Sequence, residues 1–226
     1  METFNDQLAQ QIDAYIGQLF IPHDEALAQA LQDASAAELP SINVSANEGK
    51  LLYLIAKMAN AKRVLEIGTL GGYSSTWLAR ALPAGGKVIT LELEQRHADV
   101  ARRNLDRNGV GDRVEIRVGR AIDSLRKMIE TGEAPFEVIF IDADKENYIE
   151  YLNLSLQLAR VGTVILADNL IRNGRVLADY PADVNARAVK AYNETIATHP
   201  RLDSIILPII RTNLDGLSIS IVTSDE

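Results

Sequence analysis

The chain contains no cysteine. That absence excludes disulfides, thiolate metal sites and a cysteine nucleophile, while leaving the redox compartment open. Histidine is almost as scarce: His23, His97 and His199 lie far apart in the sequence, which reads as solvated or helix-surface side chains rather than a zinc cluster. Net positive charge is missing as well. With 23 Lys and Arg against 31 Asp and Glu, a formal net charge of −8 and a pI near 5.0, the composition disfavours RNA and other polyanions, whose binding depends on Lys and Arg contacts to phosphates. Arg96, Arg102, Arg103 and Arg107 recur in one segment, but Glu94, Asp99 and Asp106 accompany them, the pattern of a wet helix face. No apolar run approaches the length needed to span a bilayer, and residues 1–20 carry acids and amides in place of a basic start and an apolar stretch. A soluble, cytoplasmic protein with no nucleic-acid or membrane partner is expected. Two catalytic signatures are absent too. The sequence has neither G-x-G-x-x-G, the dinucleotide fingerprint, nor G-x-S-x-G, so Ser74 is a poor candidate for a hydrolase nucleophile.

What is present begins with length and patterning. A chain of 226 residues with 47% hydrophobic content fits a single domain spanning 1–226. Residues 1–60 read as helical: Phe4, Leu8, Ile12, Tyr15, Ile16 and Leu19 recur at helical spacing, Pro22 interrupts, and Ala26, Leu27, Ala30 and Leu31 resume. Leu51, Leu52, Leu54 and Ile55 form a third apolar face. From Arg63 onward strand and helix patterns alternate. Strands are predicted at 63–67, 88–92, 114–118, 138–141 and 161–167, with helices near 74–82, 95–107, 121–130 and 146–160. A helix over 184–198 then precedes two last strands at 202–207 and 217–222. Apolar strands separated by helix-length segments predict a Rossmann-like α/β core over 61–226, with a mostly parallel sheet covered on both faces.

The most informative stretch is Val64-Leu65-Glu66-Ile67-Gly68-Thr69-Leu70-Gly71-Gly72-Tyr73-Ser74. It ends a buried strand in a glycine-rich turn and keeps an acid at the start of the turn. A carboxylate at Glu66, where the first glycine of a dinucleotide fingerprint belongs, repels a pyrophosphate. Gly68 and Gly72 still let a ligand lie close to the backbone, so the turn suits a nucleoside without phosphates and with a cationic part. S-adenosylmethionine fits. Glu92 ends the second strand, twenty residues after Gly72, where an acid can accept from both hydroxyls of a ribose; the alternative is a helix cap or a solvated residue. Asp142 follows the fourth strand, and Asp168 and Asn169 follow the fifth. Two carboxylates and one amide oxygen at neighbouring strand ends make a hard, all-oxygen site suited to Mg²⁺, with Mn²⁺ or Ca²⁺ as substitutes. The alternative is that each acid caps the next helix. Lys145, three residues after Asp142, is either a solvated helix-start residue or a base, since a cation beside a lysine favours the neutral amine that can take a proton.

Taken together, these motifs resemble the class I S-adenosylmethionine-dependent methyltransferases, and more narrowly the cation-dependent small-molecule O-methyltransferases that include catechol and caffeoyl-CoA O-methyltransferases. The likeness runs from Val44-Ser45-Ala46-Asn47-Glu48-Gly49 through Leu65-Glu66-Ile67-Gly68 and Gly72-Tyr73-Ser74. It continues through Ile141-Asp142-Ala143-Asp144-Lys145-Glu146-Asn147-Tyr148 and Ala167-Asp168-Asn169 to Leu207-Pro208-Ile209 and Asp215-Gly216-Leu217. The resemblance implies a seven-stranded sheet with an antiparallel last strand. It makes Val44, Tyr73 and Ser74 contacts to S-adenosylmethionine, although Ser74 reads equally as an N-cap. It places the adenine near Gly119, Ala121 and Asp123, where a capped helix start is the other reading. It carries Asp142, Asp168 and Asn169 as metal ligands and Lys145 as the residue that takes the proton of the reacting hydroxyl. It further implies that residues 41–48 lie over the cofactor and that the protein is a homodimer, for which the apolar N-terminal helix offers a surface. The expected reaction is methylation of a hydroxyl on a catechol-like, ortho-dihydroxyphenyl small molecule. Two rivals are a class I RNA methyltransferase and a non-catalytic nucleoside-binding protein of the same fold.

Overall fold

The structure is a computed structural model that describes residues 6–210 and 214–225. Phe4 lies outside the described residues. Three helices lead the chain: α1 (Asp6–Phe20), α2 (Glu25–Ala36) and α3 (Ala46–Met58). Asp24 caps α2 by accepting from the Leu27 amide at 2.9 Å. The start of α3 is a capping box, in which the Ser45 hydroxyl accepts from the Glu48 amide while the Glu48 carboxylate accepts from the Ser45 amide. Those reciprocal bonds satisfy two donors that a helix start otherwise leaves open, and they fix the direction of the chain at Val44.

The seven strands are β1 (Arg63–Ile67), β2 (Lys87–Glu92), β3 (Val114–Val118), β4 (Val138–Ile141), β5 (Val164–Ala167), β6 (Leu202–Ile210) and β7 (Leu214–Val222). They lie in the order β3-β2-β1-β4-β5-β7-β6. All pairings up to β5 are parallel, and β7 runs antiparallel to both β5 and β6. Between the strands lie α4 (Tyr73–Ala81), α5 (Gln95–Arg107), α6 (Ala121–Glu130), α7 (Tyr148–Gln157) and α8 (Val184–Thr198). The expected fold class is thus borne out.

The larger differences from the sequence reading lie in the second half of the chain. The fifth strand starts at Val164, not Val161, because Gly162 turns through left-handed backbone (φ 89°) before the sheet begins. The last two strands are longer than expected and pair out to Ile210 opposite Leu214. Pro208 is tolerated there because β6 is an edge strand, where a missing amide donor need not break a ladder. The expected helix over 146–160 splits into a 3₁₀ turn at Lys145–Asn147 and α7.

The core explains the continuous apolar runs. Val64, Val88, Val138, Phe140 and Leu166 point to the face covered by α3, α4 and α5, where they meet Leu52, Ile55, Trp77, Leu78 and Leu105. Leu65, Ile67, Ile89, Leu91, Ile139, Ile141 and Ile165 point to the other face, against Leu125, Met128, Leu152, Val189 and Tyr192. Alternate residues feed opposite cores, so both registers must be apolar. Truncating fully buried Phe140 to alanine would cost about 3–5 kcal/mol. Among the described residues, no helix is long and apolar enough to cross a membrane.

Candidate functional site

The chain order reverses between β1 and β4, and a cavity of about 700 Å³ lies across that point at the carboxyl ends of the strands. Such a crevice is where open α/β sheets bind ligands, and its size is that of a small-molecule site. One wall comes from the N-terminal region: Ala30, Leu31 and Ala34 of α2, then Pro40, Ile42, Asn43 and Val44.

The glycine turn forms the floor. Gly68 is left-handed (φ 105°), and a Cβ there would sit 2.1 Å from the Asp142 carbonyl oxygen, so no side chain fits. Beyond it the amides of Thr69 and Leu70 donate to Glu92 Oε2 at 3.2 and 2.8 Å. The other oxygen of Glu92 accepts from the Glu94 amide at 3.0 Å and lies 3.2 Å from His97 Nδ1. Glu92 is therefore neither a cap of α5 nor a solvated residue; it faces the cavity and braces the turn from the neighbouring strand. His97 sits on a helix, one of the two places expected for it, but is only partly exposed. One turn into α5, its ring folds back over the end of β2 and lines the cavity.

Glu66 is fully buried beneath the turn and does not line the cavity. Its Oε2 accepts from the Ser75 hydroxyl, and its Oε1 is buried with no hydrogen-bond partner. Burial pushes its carboxyl up to about 7, against the opposing pull of the Ser74, Ser75 and Thr90 hydroxyls. Tyr73 and Ser74 line the cavity, but the N-cap of α4 is left-handed Gly72, so the capping role considered for Ser74 is not the observed one. Val44 and Ala121 also line the cavity, whereas Gly72, Gly119 and exposed Asp123 do not. Gly119 donates its amide to the Glu92 carbonyl at 2.8 Å.

The acidic end of the site is built by β4 and β5. Parallel pairing sets Ile141 beside Ala167, so Asp142 and Asp168 emerge side by side. Neither caps a helix. The Asp168 carboxylate is buried and accepts from the Asn169 backbone amide at 2.7 Å, while the Asn169 side-chain nitrogen lies 3.2 Å from its other oxygen. Asn169 itself is left-handed (φ 65°), a conformation that costs free energy and recurs at functional sites. Lys145 Nζ lies 3.1 Å from Asp142 Oδ1 and 2.5 Å from the Tyr148 hydroxyl. Tyr148 in turn donates to the Asp168 carbonyl at 3.0 Å. Burial and the Asp142 and Asp168 carboxylates push its phenol well above the usual range. Among the described residues no three His, Asp or Glu side chains cluster as a metal site. The oxygen donors of Asp142, Asp168 and Asn169 are nevertheless of the hard kind that could hold a hard divalent cation.

Sequence reasoning missed three residues that shape this site. Thr69 holds Thr90 through a 2.6 Å contact between hydroxyls, Tyr148 orients Lys145, and Ser75 partners Glu66. Tyr148 stood within a quoted motif without a role, and nothing in the local sequence marks the other two.

An O-methyltransferase family profile matches residues 21–220. The chain belongs to the O-methyltransferase family. It is similar to the catechol O-methyltransferase of Mycobacterium tuberculosis, with 46% identity over 93% of this chain and 94% of that one. It is likewise similar to the catechol O-methyltransferase of Niastella koreensis, with 43% identity over 96% and 99%. Among solved structures, the O-methyltransferase from Bacillus cereus in complex with SAH superposes with a TM-score of 0.94 at 41% identity, covering 97% of this chain and 100% of that one. The expectation of a class I S-adenosylmethionine-dependent O-methyltransferase is borne out, and neither rival reading is favoured.

Proposed function

We propose that this O-methyltransferase moves the methyl group of S-adenosylmethionine to one hydroxyl of a catechol-like small molecule and that it requires a divalent cation, Mg²⁺ first. The observation that carries this reading is the placement of Asp142, Asn169 and Lys145 on the β4–β5 side of one cavity, with buried Asp168 beside them at the end of β5, while the glycine turn and Glu92 form the other side. The names of the two catechol O-methyltransferase relatives point the same way.

In this reading Glu92 accepts from the ribose hydroxyls, Gly68, Tyr73 and Ser74 border the amino-acid part of the donor, Ala121 borders the adenine, with Gly119 supporting that wall through its bond to the Glu92 carbonyl, and Val44 covers it. Glu66, out of reach beneath the turn, shapes the turn through its bond to Ser75 and does not itself meet the donor. Asp142, Asp168 and Asn169 would hold the cation, which would supply positive charge where negative charge develops on the acceptor. Lys145 accepts the hydroxyl proton at Nζ, guided by Tyr148 and Asp142. As that proton leaves, the acceptor oxygen bonds to the methyl carbon and the carbon–sulfur bond breaks, in a geometry that the turn and the acidic cluster hold in line. A second hydroxyl on the acceptor ring gives a second point of attachment, hence the preference for a diol over a phenol.

The acidic balance favours a small molecule over RNA, and α5 agrees: Arg96 holds the Ala37 carbonyl, Arg107 holds Asp33, and Arg102 donates to Gly111 and Val114. We further propose a cytoplasmic homodimer that uses α1, where Tyr15 and Phe20 are 63% and 64% exposed and Leu8 and Leu19 are exposed beside them. Sedimentation tests the dimer. The main test is calorimetry with S-adenosylmethionine, then transfer to catechol and to phenol with and without chelator. Transfer to catechol that survives excess chelator would remove the cation from the proposal.

A further inference from the structure

Arg172 is a cation that the chain fixes firmly in place but pairs loosely. The loop after β5 passes through left-handed backbone at Arg172 (φ 50°), Asn173 (54°) and Gly174 (75°). For the two residues that carry a Cβ this conformation is costly. The start of β7 holds it. A single oxygen of Asp215 accepts from the amides of Ile171 and Arg172, both at 3.0 Å, and from Gly216 at 2.9 Å. Asn173 adds two bonds to Leu214, its amide donating to the carbonyl at 2.8 Å and its side-chain oxygen accepting from the amide at 2.9 Å. Gly216 has no room for a side chain, since a Cβ would lie 2.5 Å from Ile171 Cγ1. This explains Asp215-Gly216, a motif that neither the donor site nor the acidic cluster uses.

The side chain so positioned lines the cavity beside Asn169 and Asn185. Its ion pair is long, 3.5 Å to Asp183 Oδ2, and the same oxygen is held more closely by Arg175 at 3.0 Å. Arg172 Nε is buried with no hydrogen-bond partner. As placed, Nε is closed to the cavity, and a ligand there would meet the terminal nitrogens of the guanidinium, whose side chain keeps 22% of its surface exposed. Lys145, on the same side, is already engaged by Asp142 and Tyr148. Arg120 lies after β3, at the far end of the parallel strands from Arg172.

We propose that Arg172 receives a carboxylate on the acceptor, so that the favoured substrates are ortho-dihydroxyphenyl carboxylic acids. The assignment rests on the catechol reading above. The planar fork of a guanidinium matches a carboxylate in two parallel bonds, and a net interaction of this kind discriminates about 10–100-fold. Asn169 and Arg172 ride on one loop, which lets that loop engage the diol end and the acid end of a single ring.

The test compares 3,4-dihydroxybenzoate with its neutral relative 3,4-dihydroxybenzamide. In the wild type kcat/KM should favour the acid, and in Arg172→Gln the acid-to-amide ratio should fall about 10–100-fold, mainly through KM. Arg172→Lys should keep more of the ratio than Arg172→Gln. An unchanged ratio, even with both rates lowered, would mean that Arg172 only shapes the loop and would overturn the proposal. A wild type that methylates neither compound would defeat the catechol reading instead. Calorimetry then decides on binding alone: 3,4-dihydroxybenzoate should bind wild type more tightly than Arg172→Gln, and equal dissociation constants would overturn the assignment.

Discussion

Lys145 and Asp168 are linked through a single phenol: Tyr148 receives the lysine amine at 2.5 Å and donates to the Asp168 carbonyl at 3.0 Å. The amine that would take the acceptor proton is thus tied to the strand end that would hold the cation. Tyr148 is fully buried and packs edge-on to Tyr192, with ring centroids 5.4 Å apart. Packing fixes the phenol, and the phenol fixes the amine.

If Lys145 is the base, Lys145→Met should lower turnover about 10²–10⁴-fold, the usual contribution of a general base. Binding of S-adenosylmethionine, read by calorimetry, should stay close to wild type because Glu92 and the glycine turn are untouched. Tyr148→Phe should give a smaller loss of turnover. Near-wild-type turnover in the Met variant would leave Lys145 without a part in proton transfer.

Asp168→Ala should abolish most activity and weaken binding of Mn²⁺, used as a paramagnetic probe, while adding chelator to the wild type should stop the reaction reversibly. A variant that binds Mn²⁺ as the wild type does would remove Asp168 from the cation site. The far-ultraviolet dichroism spectrum separates this outcome from unfolding.

Glu92 has two tasks, and two substitutions separate them. Glu92→Ala should weaken S-adenosylmethionine binding by about 1.5–3 kcal/mol, the range for bonds to a charged group, and should lower the melting temperature, because the Thr69 and Leu70 amides lose their acceptor. Glu92→Gln keeps one acceptor oxygen and should recover much of the stability. An unchanged dissociation constant in both would take Glu92 out of the donor site.

The parallel strands were legible because burial on both faces leaves no freedom at any position: in Val138-Ile139-Phe140-Ile141, successive residues feed opposite cores, so the run itself announces the strand. Strand-end acids were legible for a related reason, since Glu92, Asp142 and Asp168 each follow such a run and topology alone brings them to one edge. Partnerships across the fold left no local mark. The bond from Tyr148 to Asp168 spans 20 residues and that from Ile171 to Asp215 spans 44, and no periodicity encodes them. His97 is legible as a helix-surface residue and no further: its helical position signals only a polar face, while its nearness to Glu92 depends on how α5 leaves β2.

Glu66 gives the sharpest prediction about pH. Its carboxyl is pushed up to about 7 by complete burial, from an ordinary value of 4.5. Between those values the folded protein holds a proton that the unfolded chain releases, so stability falls as pH rises. This group's contribution is fully present below the unfolded value and is lost as pH climbs through about 7, a change of order 3 kcal/mol. Glu66→Gln cannot ionise, and its amide can still meet the Ser75 hydroxyl. Urea unfolding midpoints measured in metal-free buffer from pH 4.5 to 8 should therefore decline more steeply for the wild type than for the Gln variant up to about pH 7, with the gap between the two curves levelling off above it. Parallel slopes would mean that Glu66 stays ionised in the folded protein, and the orphaned Oε1 beneath the glycine turn would then need a donor of its own.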